Sequence, residues 1–395
     1  MKKDKIITQT DSCIANTYGR YKVVFDRGEG MTLWDTEGKA YKDFVAGIAV
    51  CNLGHAHEGV AQALANQARR LVHVSNLYYT QPQADLAAVL VEKSFADKVF
   101  FGNSGAEANE AAIKLARKYF SGKGITGRHK IITMTQSFHG RTMATLTATG
   151  QDKIKEGFAP VLPGFDYVPY NDFPALKHKM DDTVCAVMLE PIQGEGGICC
   201  PDSGYLKKVR DLCDAHGALL IFDEIQTGMG RTGTLFAYEH ENVIPDIMTL
   251  AKALGNGLPI GAMLAKDSVM KAFVTGSHAS TFGGTPLVAA GALEVLRTFE
   301  REKICDHCRE TGVYFKKKLE ILKEKHKVVD DVRGRGLLLG MKLKSEGAPM
   351  VQACFEKGFL INCVQGNVLR FIPPLIVTPK DIDALVACLD SVLAL

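Results

Sequence analysis

The chain has 395 residues, of which 46% are hydrophobic and 23% are charged, and its formal net charge is +3 at pH 7. A chain of this length can bury a large core and is expected to form one large and one smaller domain. So small a net charge argues against nucleic acid or an anionic membrane as a partner. No apolar run approaches the ~18 residues of a membrane span, and the charged N-terminus lacks the apolar part of a signal peptide, so we expect a cytoplasmic protein.

The first predicted element is a β-hairpin at residues 31–44, which alternates in polarity around a Glu37-Gly38 turn. From residue 58 the pattern changes to helices that alternate with short apolar strands. This alternation predicts an α/β domain with a mostly parallel sheet flanked by helices, whose ligands lie beyond the carboxyl ends of the strands. Helices are predicted at 58–72, 82–94, 105–120, 202–216 and 284–302, and strands at 98–102, 130–135, 184–190, 218–223, 246–250 and 260–265.

Near residue 300 the pattern changes again. A long charged helix at about 302–326 is followed by a strand at 336–343, a helix, strands near 359–363 and 368–372, and a final helix from Pro379. This order predicts a smaller α+β domain. We therefore divide the chain into an N-terminal segment that carries the hairpin and packs with the small domain, a large cofactor-binding domain and a small C-terminal domain, at 1–57, 58–299 and 300–395.

The eleven cysteines are an odd number scattered along the chain, which is typical of free thiols in a reducing compartment. The only Cys-x-x-Cys runs from Cys305 to Cys308 within a predicted helix, and no further metal ligands stand at a partner spacing. We interpret both cysteines as incidental helix residues and predict no metal site.

Two apolar strands end at residues with useful side chains. Asp223 ends the run Leu219-Leu-Ile-Phe-Asp, and Lys252 follows the next such run. A lysine amine can form a Schiff base with a cofactor aldehyde, and a carboxylate can keep a pyridine nitrogen protonated so that the ring accepts electrons. Each residue alone is common, but together they indicate a pyridoxal phosphate site.

Two segments have the composition of anion sites. Ser104, Gly105 and Ala106 stand between a predicted strand and a helix, where backbone N–H groups and the helix dipole favour a phosphate. The alternative is an ordinary capped helix, with Ser104 as the cap and Glu107 three positions later. The segment 280–286 combines hydroxyls and glycines before another helix and is the second such segment.

Further candidates follow other strands. Phe138 could stack on a planar ring and Arg141 could bind a carboxylate in bidentate fashion, whereas a core aromatic and a solvated arginine are the plain alternative. His139 between them is more often structural. Glu190 and Glu195 surround a Gly-rich turn and could act as paired acids, as in glycosidases, although this leaves the lysine and the phosphate features unused.

The remaining candidates are arginines and glycines. Arg370 lies in a strand of the small domain and is either a ligand or a charge at a strand edge. The segment 228–233 fits the dinucleotide fingerprint literally, but no helix opens after it, so we do not expect a nicotinamide or flavin site there. Arg333 and Arg335 are interpreted as structural.

Together these motifs resemble the class III (fold type I) pyridoxal phosphate aminotransferases along nearly the whole chain. The resemblance is carried by segments in the family's order, at 47–57, 75–79, 103–109, 137–142, 190–195, 223–228, 250–255 and 370–374. Two residues depart from the family pattern: Glu58 stands for a usual proline and Thr285 for a usual asparagine. Neither removes a chemical group of the site.

The resemblance implies a role for each candidate residue. Lys252 would be the Schiff-base lysine and proton carrier, Asp223 the partner of the pyridinium nitrogen, Gln226 a partner of the ring oxygen and Phe138 the stacking residue. Ser104, Gly105 and Ala106 would hold the phosphate, with Thr281 supplied by the other subunit of a homodimer. Arg370 would bind the α-carboxylate of glutamate or 2-oxoglutarate, and Arg141 the far carboxylate of the substrate.

Glu195 narrows the reaction further. A donor that reacts at its distal amine leaves Arg370 unpaired, so a glutamate that pairs with Arg370 and swings away for glutamate lets one site accept both substrates. The resemblance thus implies transfer of the δ-amino group of N-acetylornithine to 2-oxoglutarate. Ornithine, succinylornithine, succinyldiaminopimelate or 4-aminobutyrate remain alternative donors, an aminomutase or decarboxylase is less expected, and a non-enzymatic module would be expected to lack Lys252 or Asp223.

Overall fold

A computed structural model describes residues 2–394 of the chain. The strands are β1 (Phe25–Glu29), β2 (Thr32–Asp35), β3 (Ala40–Asp43), β4 (Lys98–Gly102), β5 (Lys130–Met134), β6 (Phe165–Val168), β7 (Val184–Leu189), β8 (Leu219–Asp223), β9 (Ile247–Leu250), β10 (Gly261–Ala265), β11 (Val329–Arg335), β12 (Leu338–Leu343), β13 (Phe359–Leu360), β14 (Asn362–Val364) and β15 (Val368–Phe371). The helices are α1 (Lys2–Cys13), α2 (Ala46–Ala49), α3 (Glu58–Ala68), α4 (Gln81–Glu92), α5 (Gly105–Ser121), α6 (Met143–Ala148), α7 (Asp152–Lys155), α8 (Phe173–Lys179), α9 (Tyr205–His216), α10 (Asp267–Met270), α11 (Pro286–Arg301), α12 (Ile304–Lys325), α13 (Ala348–Glu356) and α14 (Pro379–Leu393). Short 3₁₀ turns occupy Ala237–His240 and Lys252–Leu254.

The large sheet has seven strands in the order β4-β10-β9-β8-β7-β5-β6. The pairs β5–β6, β5–β7, β7–β8 and β8–β9 are parallel, and only β10 runs antiparallel to its two neighbours. Every residue of β7 and β8 is buried, as expected for strands covered by helices on both faces. The predicted α/β class and mostly parallel sheet are therefore confirmed.

Helix α5 shows why the chain folds in this way locally. Its apolar residues, from Ala108 to Phe120, recur at helical spacing and are buried against the sheet, and the helix contacts β9 and β10. The edge strand β6 was not predicted from the sequence. It is short and only Val168 is fully buried, so it lacks the continuous apolar run of the central strands.

The predicted hairpin is present as the antiparallel pair β2–β3, with Gly38 at a φ of 84° in the turn. Strand β3 also pairs in parallel with β13, so the N-terminal hairpin shares a sheet with the C-terminal part of the chain. A third sheet, β11-β12-β15-β14, is antiparallel and packs with α12. The domain boundaries at 57/58 and 299/300 stay predictions.

Within residues 2–394 no helix is both long and apolar enough to cross a membrane.

Candidate active site

A cavity of about 380 Å³ lies at the carboxyl ends of the central strands. The loops after β5, β7 and β8, the start of α5 and the 3₁₀ turn at Lys252 all contribute to its wall. This is where an α/β sheet is expected to bind its ligand. Nine of the eleven predicted site residues line the cavity: Ser104, Gly105, Ala106, Phe138, Arg141, Glu195, Asp223, Gln226 and Lys252.

Asp223 is a buried carboxylate that is oriented by three hydrogen bonds. Its Oδ2 accepts from Asn109 Nδ2 at 2.8 Å and lies 2.7 Å from His139 Nδ1, and its Oδ1 accepts the backbone N–H of Ile225 at 3.1 Å. A carboxylate oxygen can accept two hydrogen bonds. Oδ1 therefore retains capacity for a donor on a ligand in the cavity, such as a protonated ring nitrogen.

Asn109 is the functional residue that sequence reasoning missed. It is fully buried on α5, and its amide donates to Asp223 Oδ2 and to the carbonyl of His139, both at 2.8 Å. Its own oxygen accepts from Thr249 Oγ1 on β9 at 2.7 Å. Asn109 thus ties α5, β8 and β9 together at the carboxylate, although the sequence signals only a polar residue on an otherwise apolar helix face.

His139 contacts the same carboxylate, so it is more than a structural loop histidine. The ring is buried, and its Nε2 has no hydrogen-bond partner within the described residues. Because Nδ1 faces Asp223, the geometry favours the Nδ1–H form, which donates to the carboxylate. His139 therefore lines the cavity and, together with Asn109, holds Asp223 in place.

The amino end of α5 opens into the cavity. Ser104 is the N-cap, and its Oγ accepts the N–H of Glu107 at 3.2 Å, so the capping interpretation is correct. The cap and an anion site are compatible, since capping uses one of the free N–H groups and leaves others directed at the cavity. Gly105 allows close packing, because a Cβ there would lie 2.7 Å from Ile225 Cδ1 and the isoleucine side chain would have to move.

Lys252 begins the 3₁₀ turn after β9 with a φ of 44°, and it lines the cavity. Burial lowers the pKa of its amine to about 8. Arg370 acts in the same direction, while the nearby carboxylates, above all Glu195, oppose the shift. A lowered pKa gives a larger neutral fraction near pH 7 than an exposed lysine has, and only the neutral amine is a nucleophile or a base.

Arg370 and Glu195 form an ion pair at the edge of the cavity. The distance from Arg370 Nη1 to Glu195 Oε1 is 2.5 Å, and the arginine side chain is 1% exposed against 27% for the glutamate. Burial alone would raise the pKa of Glu195, but Arg370 and Lys252 outweigh burial and hold that pKa below its ordinary value. The pair therefore joins a fixed cation to a carboxylate that reaches solvent.

Gln226 forms hydrogen bonds with both members of this pair. Its Oε1 accepts from Arg370 at 3.2 Å, and its Nε2 donates to Glu195 at 3.4 Å. The family resemblance implies that Gln226 binds a ring oxygen of the cofactor. The Gln226 side chain lines the same cavity, and in this structure its hydrogen bonds are to Arg370 and Glu195.

Glu190 is a second carboxylate at the cavity, with a different environment. Burial raises its pKa to about 7, although Oε1 accepts the N–H of Phe138 and Oε2 that of Gly194. It thus holds the loop that carries Glu195 against the loop that carries Phe138. The glycosidase alternative is not favoured, since Glu190 binds backbone on both oxygens and Glu195 binds Arg370.

Phe138 and Arg141 lie on the open side. Phe138 lines the cavity wall, and the Arg141 guanidinium is 5.6 Å from the centre of its ring. Arg141 is exposed, and its side chain has no hydrogen bond or ion pair within residues 2–394. It is therefore free to bind a carboxylate that enters from solvent.

Thr281 is not brought into the cavity of its own chain. It is exposed and lines a separate surface depression of about 700 Å³ together with Ser75 and Asn76. Large apolar side chains around it are exposed to solvent. Their exposed fractions are 82% for Leu77, 69% for Tyr78, 106% for Tyr79 and 61% for Phe282.

The segment 228–233 has no dinucleotide geometry. It is a buried turn, and Arg231 within it is completely buried and donates to the carbonyls of Leu337 and Pro373 at 2.9 and 2.7 Å. No helix opens there, so the residues join the large sheet to the small domain.

The donor set of the cavity fits pyridoxal phosphate. The cavity combines an aromatic wall at Phe138, a carboxylate with a free acceptor position at Asp223, the amino end of a long helix for the phosphate and a lysine amine at Lys252. These are the four groups that such a cofactor requires.

A family model described as aminotransferase class-III matches residues 13–393. The acetylornithine aminotransferase of Caldanaerobacter subterraneus subsp. tengcongensis is 53% identical over 390 residues, which are 98% of this chain and 99% of that protein. The acetylornithine aminotransferase of Methanocaldococcus jannaschii is 53% identical over 377 residues, which are 95% of this chain and 94% of that protein. Among solved structures, the N-acetylornithine aminotransferase from Stenotrophomonas maltophilia K279a is 40% identical with a TM-score of 0.84, covering 98% of each chain. The ornithine aminotransferase from Toxoplasma gondii ME49 is 35% identical with a TM-score of 0.96, covering 99% of this chain and 95% of that one.

Proposed function

We propose that this chain, which belongs to the class-III aminotransferase family, transfers the δ-amino group of N-acetylornithine to 2-oxoglutarate. The products are N-acetylglutamate 5-semialdehyde and glutamate, a step of arginine biosynthesis, and we expect the enzyme in the cytoplasm. The similarity to proteins named acetylornithine aminotransferase supports this donor. The observation that carries the proposal is the Arg370–Glu195 pair beside Lys252 and Asp223.

Bound pyridoxal phosphate would supply an electron sink for the pair of electrons left on the substrate carbon. Asp223 Oδ1 would accept the hydrogen bond of the protonated ring nitrogen, and Asn109 and His139 would keep the carboxylate in place. The free N–H groups at Gly105 and Ala106 would bind the phosphate. The Lys252 Nζ, with its pKa of about 8, would take the proton from the substrate carbon and deliver it to the cofactor.

The two substrates place different demands on Arg370. Glutamate presents an α-carboxylate next to the reacting amine, so Glu195 must leave Arg370 for that carboxylate to bind. N-acetylornithine reacts at its distal amine, and there is no carboxylate at that end, so the pair stays closed and Arg370 stays neutralised. Its own carboxylate, at the far end, would bind the exposed Arg141 at the cavity mouth.

A second donor of the same class is the main alternative, because the ornithine aminotransferase from Toxoplasma gondii has a similar fold. A panel of donors tests the choice: kcat/KM with 2-oxoglutarate is measured for N-acetylornithine, ornithine, succinylornithine, succinyldiaminopimelate and 4-aminobutyrate. Discrimination resides in that ratio. N-acetylornithine is expected to rank first, and a higher value for any other donor would reassign the substrate.

We also propose a homodimer in which Thr281 completes the phosphate site of the partner subunit. The support is the group of exposed apolar side chains around Thr281, since an exposed apolar patch commonly marks a site of interaction with another protein. Sedimentation equilibrium is expected to give twice the chain mass. Thr281→Ala should weaken cofactor retention while leaving the dimer intact, whereas a monomer that is fully active would contradict the arrangement.

A further inference from the structure

A second cleft, of about 330 Å³, lies outside the active site. One wall comes from the loops that follow β7 and precede α9, and from the 3₁₀ turn at Ala237–His240. The other wall comes from β11 and the middle of α12. Apolar side chains of both walls, including Ile192, Leu206 and Val332, form its floor, so the cleft is concave and partly desolvated.

Three cations line this cleft, namely Lys316, Arg333 and Arg335, against the single carboxylate of Glu241. The other titratable side chains of the wall are Cys200 and His240, and burial raises the pKa of the Cys200 thiol, which keeps it uncharged. Burial and, to a smaller extent, the nearby Arg335 lower the pKa of His240 to about 4, so the imidazole is neutral near pH 7. The cleft is therefore a positively charged concavity.

The cations are poorly neutralised by the protein itself. The Arg335 side chain has no hydrogen bond or ion pair within residues 2–394, and Lys316 Nζ donates only to the carbonyl of Gly334 at 3.3 Å. Arg333 donates through Nε to the carbonyl of Gly197 at 2.8 Å, and its Nη1 is 4.0 Å from Asp331, at the limit of an ion pair. Several guanidinium N–H donors are left without an acceptor.

Exposed arginines commonly extend into solvent, where their ion pairs contribute little to stability. Arg335 is also exposed and Lys316 and Arg333 are half-buried, but all three line a cleft with an apolar floor, where a bound anion would be partly shielded from water and salt. A guanidinium also matches a carboxylate or a phosphate in a bidentate geometry. Arg333 is structural in part, since it holds Gly197, but no contact accounts for Arg335.

We propose that this cleft is a binding site for a small anion that carries carboxylate or phosphate groups. Lys316 and Arg335 are its principal ligands, and Arg333 contributes the guanidinium N–H groups that do not bind Gly197. The site is separate from the amino-transfer site and does not depend on which donor the enzyme uses. It lies behind the loop of Glu195, because Gly197 is two residues further along that loop.

Equilibrium dialysis of the holoenzyme at low ionic strength tests the proposal, with labelled inorganic phosphate in one arm and labelled succinate in the other. The double variant Lys316→Gln/Arg335→Gln removes two charges and leaves Arg333 on the loop. Its dissociation constant for the anion is expected to rise at least about tenfold, since a hydrogen bond to a charged group is worth roughly that factor. The two arms distinguish a phosphate from a carboxylate ligand.

A matched control is Arg297→Gln/Lys344→Gln, which removes the same two charges from exposed positions outside the cleft. It should bind as the unmodified enzyme does. Equal weakening in the control would show a general effect of net charge and would overturn the site. Unchanged affinity of the double variant for the anion would also overturn the site. The same holds if neither anion binds at about 10 mM, a concentration at which even a weak site of this kind is occupied. Circular dichroism and amino-transfer activity verify that both variants are folded.

Discussion

The substitution Glu195→Ala should separate the two half-reactions of the enzyme. It removes the partner of Arg370, which is 1% exposed and 2.5 Å from Glu195 Oε1. Breaking a buried ion pair costs about 3–5 kcal/mol in general. Here Glu195 is 27% exposed and Arg370 keeps Asn362 and Gln226, each at 3.2 Å. Because these contacts and entering water compensate in part, we expect a loss of roughly 1–3 kcal/mol in the free energy of unfolding.

The effect on the substrates should be unequal. The α-carboxylate of glutamate binds Arg370 only when Glu195 is not paired with it, so kcat/KM of the glutamate half-reaction should be unchanged or higher. N-acetylornithine would meet an unpaired cation at its reacting end and would bind in reverse, through its own carboxylate. We expect the ratio of kcat/KM for N-acetylornithine to that for glutamate to fall about 10- to 100-fold, which corresponds to roughly 1.4–2.8 kcal/mol.

The assay is single-turnover absorbance of the bound cofactor, with each amino donor in turn, together with urea unfolding. Glu195→Gln keeps the shape without the charge and should show the same direction. Glu37→Ala is the matched control, since its pair with Lys3 is exposed and should change neither quantity by more than about 0.5 kcal/mol. Equal losses in both half-reactions would refute the proposed switch.

Four further predictions concern the same site. Lys252→Ala should abolish the borohydride-sensitive visible absorption of the bound cofactor, and a band that survives would refute the assignment of the lysine. In the apoenzyme the rate at which Lys252 captures the cofactor covalently should rise with pH, with a midpoint of about 8, because only the neutral amine reacts. A midpoint near the pKa of an exposed lysine would contradict the effect of burial. In Glu195→Ala this midpoint should fall, since Glu195 raises the pKa of Lys252. Asn109→Ala should reduce kcat by about tenfold and the free energy of unfolding by about 1–3 kcal/mol, because it leaves Asp223 with fewer hydrogen-bond donors. The control is Asn66→Ala, since Asn66 is exposed. A kcat equal to that of the control would show that Asn109 does not position the carboxylate.

The sequence predicted the class of the large domain and most of its strands, because burial on both faces produces apolar runs that are visible locally. It also predicted a site at Asp223 and Lys252, which stand where such runs end and which line one cavity. The strand β6 escaped because an exposed edge does not need a continuous apolar run. The reversed direction of β10 escaped as well, since an apolar run has the same composition in either direction.

Only the tertiary structure decided which polar side chains meet. Asn109 and Asp223 are 114 positions apart, and Glu195 and Arg370 are 175 apart, so no local pattern connects them. Family resemblance suggested the second pair but not the first. The cleft lined by Arg333 and Arg335 likewise depends on segments that are far apart in the sequence. Hydrophobic periodicity is a property of each segment alone, whereas the pairing of buried polar groups depends on how distant segments are brought together when the core closes.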